Sequence, residues 1–347
     1  MKIITLGNTG IQTAELGFGA MYLPRVSFKK AEHIIKRALE LGITYFDTAA
    51  AYQDSEEKLG SALASAPVSV VIASRSMAYK MGVDAFRQEF EQSLRRLRRE
   101  RIDFYGFHAV NQPPDLANVL AGPLDFLREQ QEQGKVRHIA ITGHNPVTLR
   151  EALQRGAFAM AMFPFNVIEQ EPLHGLFDTA REKGVATSIM KPLAGGVLEH
   201  KALALRFFFS FCAGVITPGM ALVEEVEKNV HIFEERRQLT ASEQQQLEEE
   251  AAALGKEFCR RCSYCMPCEQ GIMIPFVHMI HMKCWGKPMD DEVAYTLQLG
   301  KRMLPALEQC TACGKCVEKC PYNIPTPQRV RELVGLLKSA SDSPHFP

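Results

Sequence analysis

Residues 102–109 read IDFYGFHA, a short run dominated by apolar and aromatic residues that ends in a histidine. Such a run is the texture of a strand buried on both faces. Seven more stretches share it: AELGFGAM (14–21), ITYFDTA (43–49), VSVVIASR (68–75), RHIAITGH (137–144), FAMAMFPFN (158–166), VATSIMKP (185–192) and AGVITPG (213–219). They begin about 20 to 35 residues apart, which leaves room for a helix between each pair. The first interval shows the helical period, with Ala31, Ile34, Ile35, Ala38 and Leu39 on one stripe and Gly42 as the stop.

Strands alternating with helices predict a parallel sheet covered by helices. Eight units predict a closed (β/α)8 barrel, with an open doubly wound sheet as the alternative. The polar residues favour the barrel. Asp47, Arg75, His108, Thr142, Asn166 and Lys191 stand at the C-terminal ends of different runs, which converge on one mouth only if the sheet closes.

Outside the repeat, KIITLGNTGIQTAEL reads as a hairpin turning at Gly7-Asn8-Thr9-Gly10. ALVEEVEKNVHIF and LTASEQQQLEEEAAALG read as helices, and Thr240 with Glu243 has capping-box spacing. The expected organisation is a barrel over 1–235, a linking helix over 236–255 and a small, mainly helical domain over 256–347, with the boundary at about Lys256.

Of the 347 residues, 46% are hydrophobic and 23% charged, and the formal net charge is zero, which argues against nucleic acid as the main partner. The basic run RRLRRERID (95–103) follows Phe86, Phe90, Leu94 and Leu97 and is expected to be the solvated face of that helix. No membrane span and no signal peptide are read, so a cytoplasmic protein is expected, where thiols stay reduced. ALRFFFSFCAGVI is expected to be a core helix running into a buried strand.

The ten cysteines then point to metal ligation. CTACGKCVEKCP gives Cys310, Cys313, Cys316 and Cys320 the C-x2-C-x2-C-x3-C-P spacing of a bacterial [4Fe–4S] run. Cys259, Cys262, Cys265 and Cys268 form a tighter C-x2-C-x2-C-x2-C run followed by Glu269. Two clusters are expected, one on Cys259, Cys262, Cys265 and Cys320, the other on Cys310, Cys313, Cys316 and Cys268. A single cluster and four-thiolate zinc remain alternatives. Cys212 and Cys284 are expected to be packing residues, with a redox role as the alternative for Cys284, which stands between the two runs.

These segments resemble the aldo-keto reductase family over residues 1–235. GITYFDTAAAYQDSEEKLGSAL, RIDFYGFHAV, GKVRHIAITGHN, FPFNVIEQ, IMKPLAGGVL and ITPGMALVEEVEKN follow the family's order. The reductase barrel joined to a C-terminal ferredoxin-like domain resembles the family's iron–sulfur branch. The resemblance implies hydride transfer between NADP or NAD and a small carbonyl or alcohol. It implies Tyr52 as proton donor, His108 as the residue that orients the carbonyl, and Asp47 as holder of the adjacent cation. It also implies nucleotide binding by Thr142, Asn166, Met190, Lys191, Pro192, Leu193, Gly195, Gly219 and Asn229.

The chain departs from the family at two positions. Arg75 stands where the family has lysine, and Met162 where many relatives carry glutamine. Arginine keeps the positive charge but not the shape of an ammonium. A hydride carries two electrons and a cluster one, so the clusters imply a further redox partner protein or a structural role. The alternative function is an electron-transfer or partner-binding module on a barrel that has lost carbonyl reduction.

Overall fold

The computed structural model describes residues 1–64, 69–211, 213–255 and 258–340. Cys212 and the boundary position Lys256 lie outside the described residues. The chain divides into two compact units, Met1–Glu250 and Ala251–Pro347.

The first unit opens with the expected hairpin, β1 (Ile3–Thr5) antiparallel to β2 (Gln12–Ala14). Eight parallel strands follow among the described residues: β3 (Phe18–Gly19), β4 (Tyr45–Asp47), β5 (Val71–Ser76), β6 (Ile102–Phe107), β7 (Val136–Thr142), β8 (Met160–Pro164), β9 (Ala186–Met190) and β10 (Val215–Thr217). Each falls on one of the apolar runs. Neighbours pair in sequence order, and β3 meets β10 through the Leu16–Ile216 and Gly19–Gly219 bridges. Hydrogen bonds from Gly17 N to Ile216 O (2.8 Å) and Gly19 N to Pro218 O (2.9 Å) draw the sheet into a ring. The fold is a (β/α)8 barrel.

Side chains alternate between the two faces of a strand, and this period places the mouth residues. Tyr45, Val71, Ala73, Phe104, Ala140, Met160, Ala186 and Val215 pack together with Leu6 and Ile11 of the hairpin, so the hairpin plugs one end of the barrel. Two residues beyond Tyr45, Ala73 and Ala140, the same file carries Asp47, Arg75 and Thr142 at the open end.

Helices cover the outside. In Phe28–Glu40 the expected stripe of Ala31, Ile34, Ile35 and Ala38 is buried, and Gly42 (φ 85°) ends the helix by donating to Leu39 O at 2.9 Å. Val83–Leu97 buries Phe86, Phe90 and Leu97. Its arginines correct the solvated-face expectation in part. Arg95 is exposed, but Arg96 reaches the fully buried Glu56 at 3.3 Å and Glu89 at 2.9 Å. A helix that must neutralise a buried carboxylate beneath it cannot give all its arginines to solvent.

Gly60 sets the spacing of Ser55–Ala62 against Val83–Leu97, because an added Cβ would lie 2.2 Å from Arg96 O. The atom in the way is backbone, so Gly60→Ala is expected to cost about 1–3 kcal/mol, the range for overpacking. Urea unfolding checks this; a wild-type midpoint would show that the helices separate freely.

The run 201–217 forms a helix over Lys201–Arg206, a 3-10 turn over Phe207–Ser210 and then β10. Helix Ala241–Gly255 starts at the expected capping box, with Thr240 N donating to Glu243 at 2.9 Å and Glu243 N to Thr240 Oγ1 at 3.3 Å. The second unit is helical among its described residues. Ile274–Cys284, Asp291–Lys301 and Thr326–Ser339 pack around Val277, Ile280, Leu297, Leu333 and Leu337. Cys284 is buried in this core, as expected. No helix among the described residues is long and apolar enough to cross a membrane.

Candidate functional site

Asp47 ends β4 and Arg75 lies near the end of β5, adjacent strands whose shared inward face brings the two side chains together. Arg75 donates from Nη1 to Asp47 Oδ2 at 2.6 Å and from Nη2 to Asp47 Oδ1 at 2.9 Å. Nη2 also donates to Tyr52 Oη at 3.0 Å. The planar guanidinium thus spans a carboxylate and a phenol at once. Both charged groups are nearly excluded from solvent. Burial pushes the Asp47 carboxyl up against the pull of Arg75. Burial also opposes the Arg75 charge, but Asp47 and Tyr52 outweigh it and hold the guanidinium protonated.

Tyr52 leads into helix Ser55–Ala62, and that segment is pinned from below. Ser55 Oγ donates to Ala20 O at 3.0 Å and pairs with Thr48 Oγ1 at 2.8 Å. The buried Lys58 donates to Leu23 O at 3.1 Å and pairs with Asp54 at 2.7 Å. Nothing in the spacing of the sequence singled out Lys58.

His108 follows β6 and meets the Tyr52 ring edge-on, with centroids 5.8 Å apart. Its backbone is fixed on both sides: His108 N donates to Ser76 O at 3.0 Å, and Tyr79 Oη donates to His108 O at 3.2 Å. Its Nδ1 is buried with no hydrogen-bond partner among the described residues. Burial, then the charges of Arg75, Lys191 and Lys80, hold the imidazole well below its ordinary range, so it is neutral. The mouth therefore gathers a phenol, a neutral imidazole and a fixed cation.

The expected nucleotide residues are arranged around the same rim. Thr142 Oγ1 accepts from Ala109 N at 3.2 Å, which ties β7 to the residue after His108. Asn166 is buried and its amide is engaged within the chain. Nδ2 donates to Glu169 at 2.9 Å and to Lys191 O at 3.0 Å, while Oδ1 accepts from Ile168 N and Glu169 N. Asn166 therefore acts on the rim through the backbone of Lys191, a role the sequence did not reveal.

Met190 ends β9, and Lys191, Pro192, Leu193 and Gly195 form the loop after it. Lys191 (φ 56°), Ala194 (φ 51°), Gly195 (φ 76°) and Gly196 (φ 94°) all adopt left-handed backbone. Two amides of this loop are used within it, Ala194 N donating to Lys191 O at 2.9 Å and Gly196 N to Leu193 O at 2.8 Å, while the Leu193–Ala194 step has the right-handed to left-handed change found in anion-binding turns. Gly219, after β10, lies so close to Tyr22 that a Cβ would meet the ring at 2.8 Å. Asn229 is half-buried on helix Val223–Glu235, and no hydrogen bond joins it to these residues among those described. Met162 is buried in the barrel.

In the second unit the two cysteine runs interleave around two cavities. One is lined by Cys259, Cys262, Cys265, Cys316 and Cys320. The other is lined by Cys265, Cys268, Cys310, Cys313 and Cys316. No disulfide joins the nine described cysteines. Burial pushes the Cys265 thiol up to about 12 and raises Cys262 and Cys316. Thiols gathered around a cavity fit a cationic group that supplies the charge needed to ionise them. No three His, Cys, Asp or Glu side chains among the described residues converge as ligands of a single ion.

Comparison with known proteins agrees with both parts of this description. The aldo/keto reductase family model matches residues 15–205, and the 4Fe-4S binding domain model matches residues 307–326. L-galactose dehydrogenase of Arabidopsis thaliana is 28% identical over 218 residues, covering 58% of this chain and 68% of that protein. The NADH-specific methylglyoxal reductase of Escherichia coli is 25% identical over 216 residues, covering 56% of this chain and 66% of that protein. Among solved structures, an aldo-keto reductase of Bacillus halodurans in its holo form superposes with a TM-score of 0.61 at 24% identity, covering 72% of this chain and 96% of that one. A Klebsiella pneumoniae aldo/keto reductase in complex with NADP and acetate gives the same TM-score at 20% identity, covering 72% and 94%. With more than half its length matched by the family model, this chain belongs to the aldo/keto reductase family.

Proposed function

We propose that the protein is an NAD(P)-dependent oxidoreductase acting on a small carbonyl or alcohol, with two [4Fe–4S] clusters that exchange electrons with a redox partner protein in the cytoplasm. The observation that carries the reading is the hydrogen-bonded trio of Asp47, Arg75 and Tyr52 with a neutral His108 against it. The loop after β9 and Gly219 would hold a nicotinamide nucleotide, which would supply the hydride.

Tyr52 gives its phenolic proton to the substrate oxygen as negative charge develops there. Arg75 stabilises the phenolate left behind, because its N–H already points at that oxygen. Asp47 holds Arg75 in place through the bidentate contact, so arginine fills the position of the family lysine while keeping the fork occupied. His108, being neutral, can donate one N–H to orient the carbonyl without adding a charge. Lys191, Pro192, Leu193 and Gly195 shape the cradle. Asn166 supports it through Lys191 O, Thr142 steadies Ala109 beside His108, and Asn229 on helix Val223–Glu235 would meet the nucleotide.

The cysteines that line each cavity would hold the clusters in the crossed pairing expected from the sequence, and the clusters would supply one-electron exchange. Titration of the cluster-loaded protein with NADPH and NADH under anaerobic conditions tests the reading. Saturable binding of one nucleotide is expected, with bleaching of the cluster absorbance if the two units form one redox system. Absence of binding would leave a barrel repurposed as a partner-binding scaffold, the reading favoured by the packed Met162.

A further inference from the structure

Thr326, His278 and Arg329 belong to neither cysteine run, yet they form a buried chain that leads to one of the thiols. Thr326 is 3% exposed, His278 2% and Arg329 4%. Arg329 Nη1 lies 3.3 Å from His278 Nδ1, and His278 Nε2 lies 3.0 Å from Thr326 Oγ1. The Thr326 hydroxyl stands beside the Cys316 thiol, and the two residues line the same cavities. Thr326 lines both thiol cavities, as do Cys265 and Cys316.

The polarity of the chain is fixed by its first member. A guanidinium can only donate, so His278 Nδ1 must accept, and the single imidazole proton sits on Nε2. That proton is donated to Thr326 Oγ1, which leaves the hydroxyl proton for an acceptor beyond. In the structure the hydroxyl donates to Ile324 O at 3.3 Å, and the Cys316 sulfur is the other acceptor beside it. Ile324 O already accepts the Thr326 N–H at 2.7 Å. A thiolate holding iron would carry charge and be the stronger acceptor, so with a cluster bound the hydroxyl would turn from Ile324 O to the sulfur.

We propose that Arg329, His278 and Thr326 form a one-way series of hydrogen-bond donors ending on Cys316, which raises the reduction potential of the cluster that Cys316 holds. Reduction adds one electron to that cluster and no proton moves. A donor on the sulfur, polarised by a buried cation behind it, favours the added negative charge. The inference rests on the two-cluster pairing under Proposed function.

The experiment is a redox titration of the reconstituted full chain with dithionite, followed by electron paramagnetic resonance. Iron is counted first. About eight atoms per chain are expected for two cubanes, and about four would overturn the pairing and this inference with it. Thr326→Val is then expected to shift one of the two potentials to more negative values and leave the other in place. Thr326→Ser, which keeps the hydroxyl, is expected to restore the wild-type value. His278→Gln is expected to shift the same potential by less, and it serves where the valine variant loses its clusters. Two unchanged potentials in both the valine and glutamine variants, or equal shifts of both clusters, would overturn the inference while leaving the two-cluster reading intact.

Discussion

Tyr52→Phe is expected to lower the turnover number for carbonyl reduction by about 10²–10⁴-fold, the usual contribution of a positioned general acid. The variant removes one oxygen, the acceptor of the 3.0 Å bond from Arg75, and leaves the ring free to keep its edge-on contact with His108. Nucleotide affinity is expected to hold, since the cradle lies in the loops after β9 and β10 and shares no hydrogen bond with Tyr52. Single-turnover measurement at saturating NADPH or NADH separates the two effects. A wild-type rate in the phenylalanine variant would mean that the proton comes from elsewhere, and the trio would lose its assigned role. His108 is already neutral, so its protonation is not expected to shape the rate between about pH 6 and 8.

Arg75→Leu is expected to destabilise the barrel by about 3–5 kcal/mol, because it leaves the Asp47 carboxylate buried without its partner. The ion pair is not assumed to be stabilising in itself. Two charges at 2.6 Å inside the barrel mouth repay a large desolvation cost, and replacing both by apolar groups is often close to neutral. The double variant Asp47→Leu/Arg75→Met should therefore recover most of the stability lost by the single one, while remaining inactive. Arg75→Lys keeps a cation and should fall between them, since an ammonium cannot reproduce the planar fork. Chemical unfolding of wild type and the three variants measures the series. A single variant as stable as wild type would show that Asp47 is not ionised in the fold.

The barrel was legible in the sequence because each of its strands is covered on both faces and so reads as an apolar run. Asp47, Arg75 and His108 stood out because a polar residue closing such a run has few other reasons to be there. The connections between residues were not legible. Arg96 belongs to a run of arginines, and only the fold reveals Glu56 beneath it. Asn166 looked like a ligand-binding amide because spacing cannot show that Glu169, Ile168 and Lys191 O occupy its four hydrogen-bonding positions. Thr326, His278 and Arg329 carry no motif at all. Their alignment depends on helices Ile274–Cys284 and Thr326–Ser339 packing together, so no local pattern records it.

The bridges from residues 16–19 to 216–219 make the barrel a closed circuit of main-chain hydrogen bonds. A shortened chain that stopped before Val215 would open that circuit and leave β3 and β9 with unsatisfied edges, each a template for another molecule. The family match ends at Leu205, so an expression fragment trimmed to it would omit the closing strand. Such a fragment would be prone to associate edge to edge, whatever the quality of its remaining core.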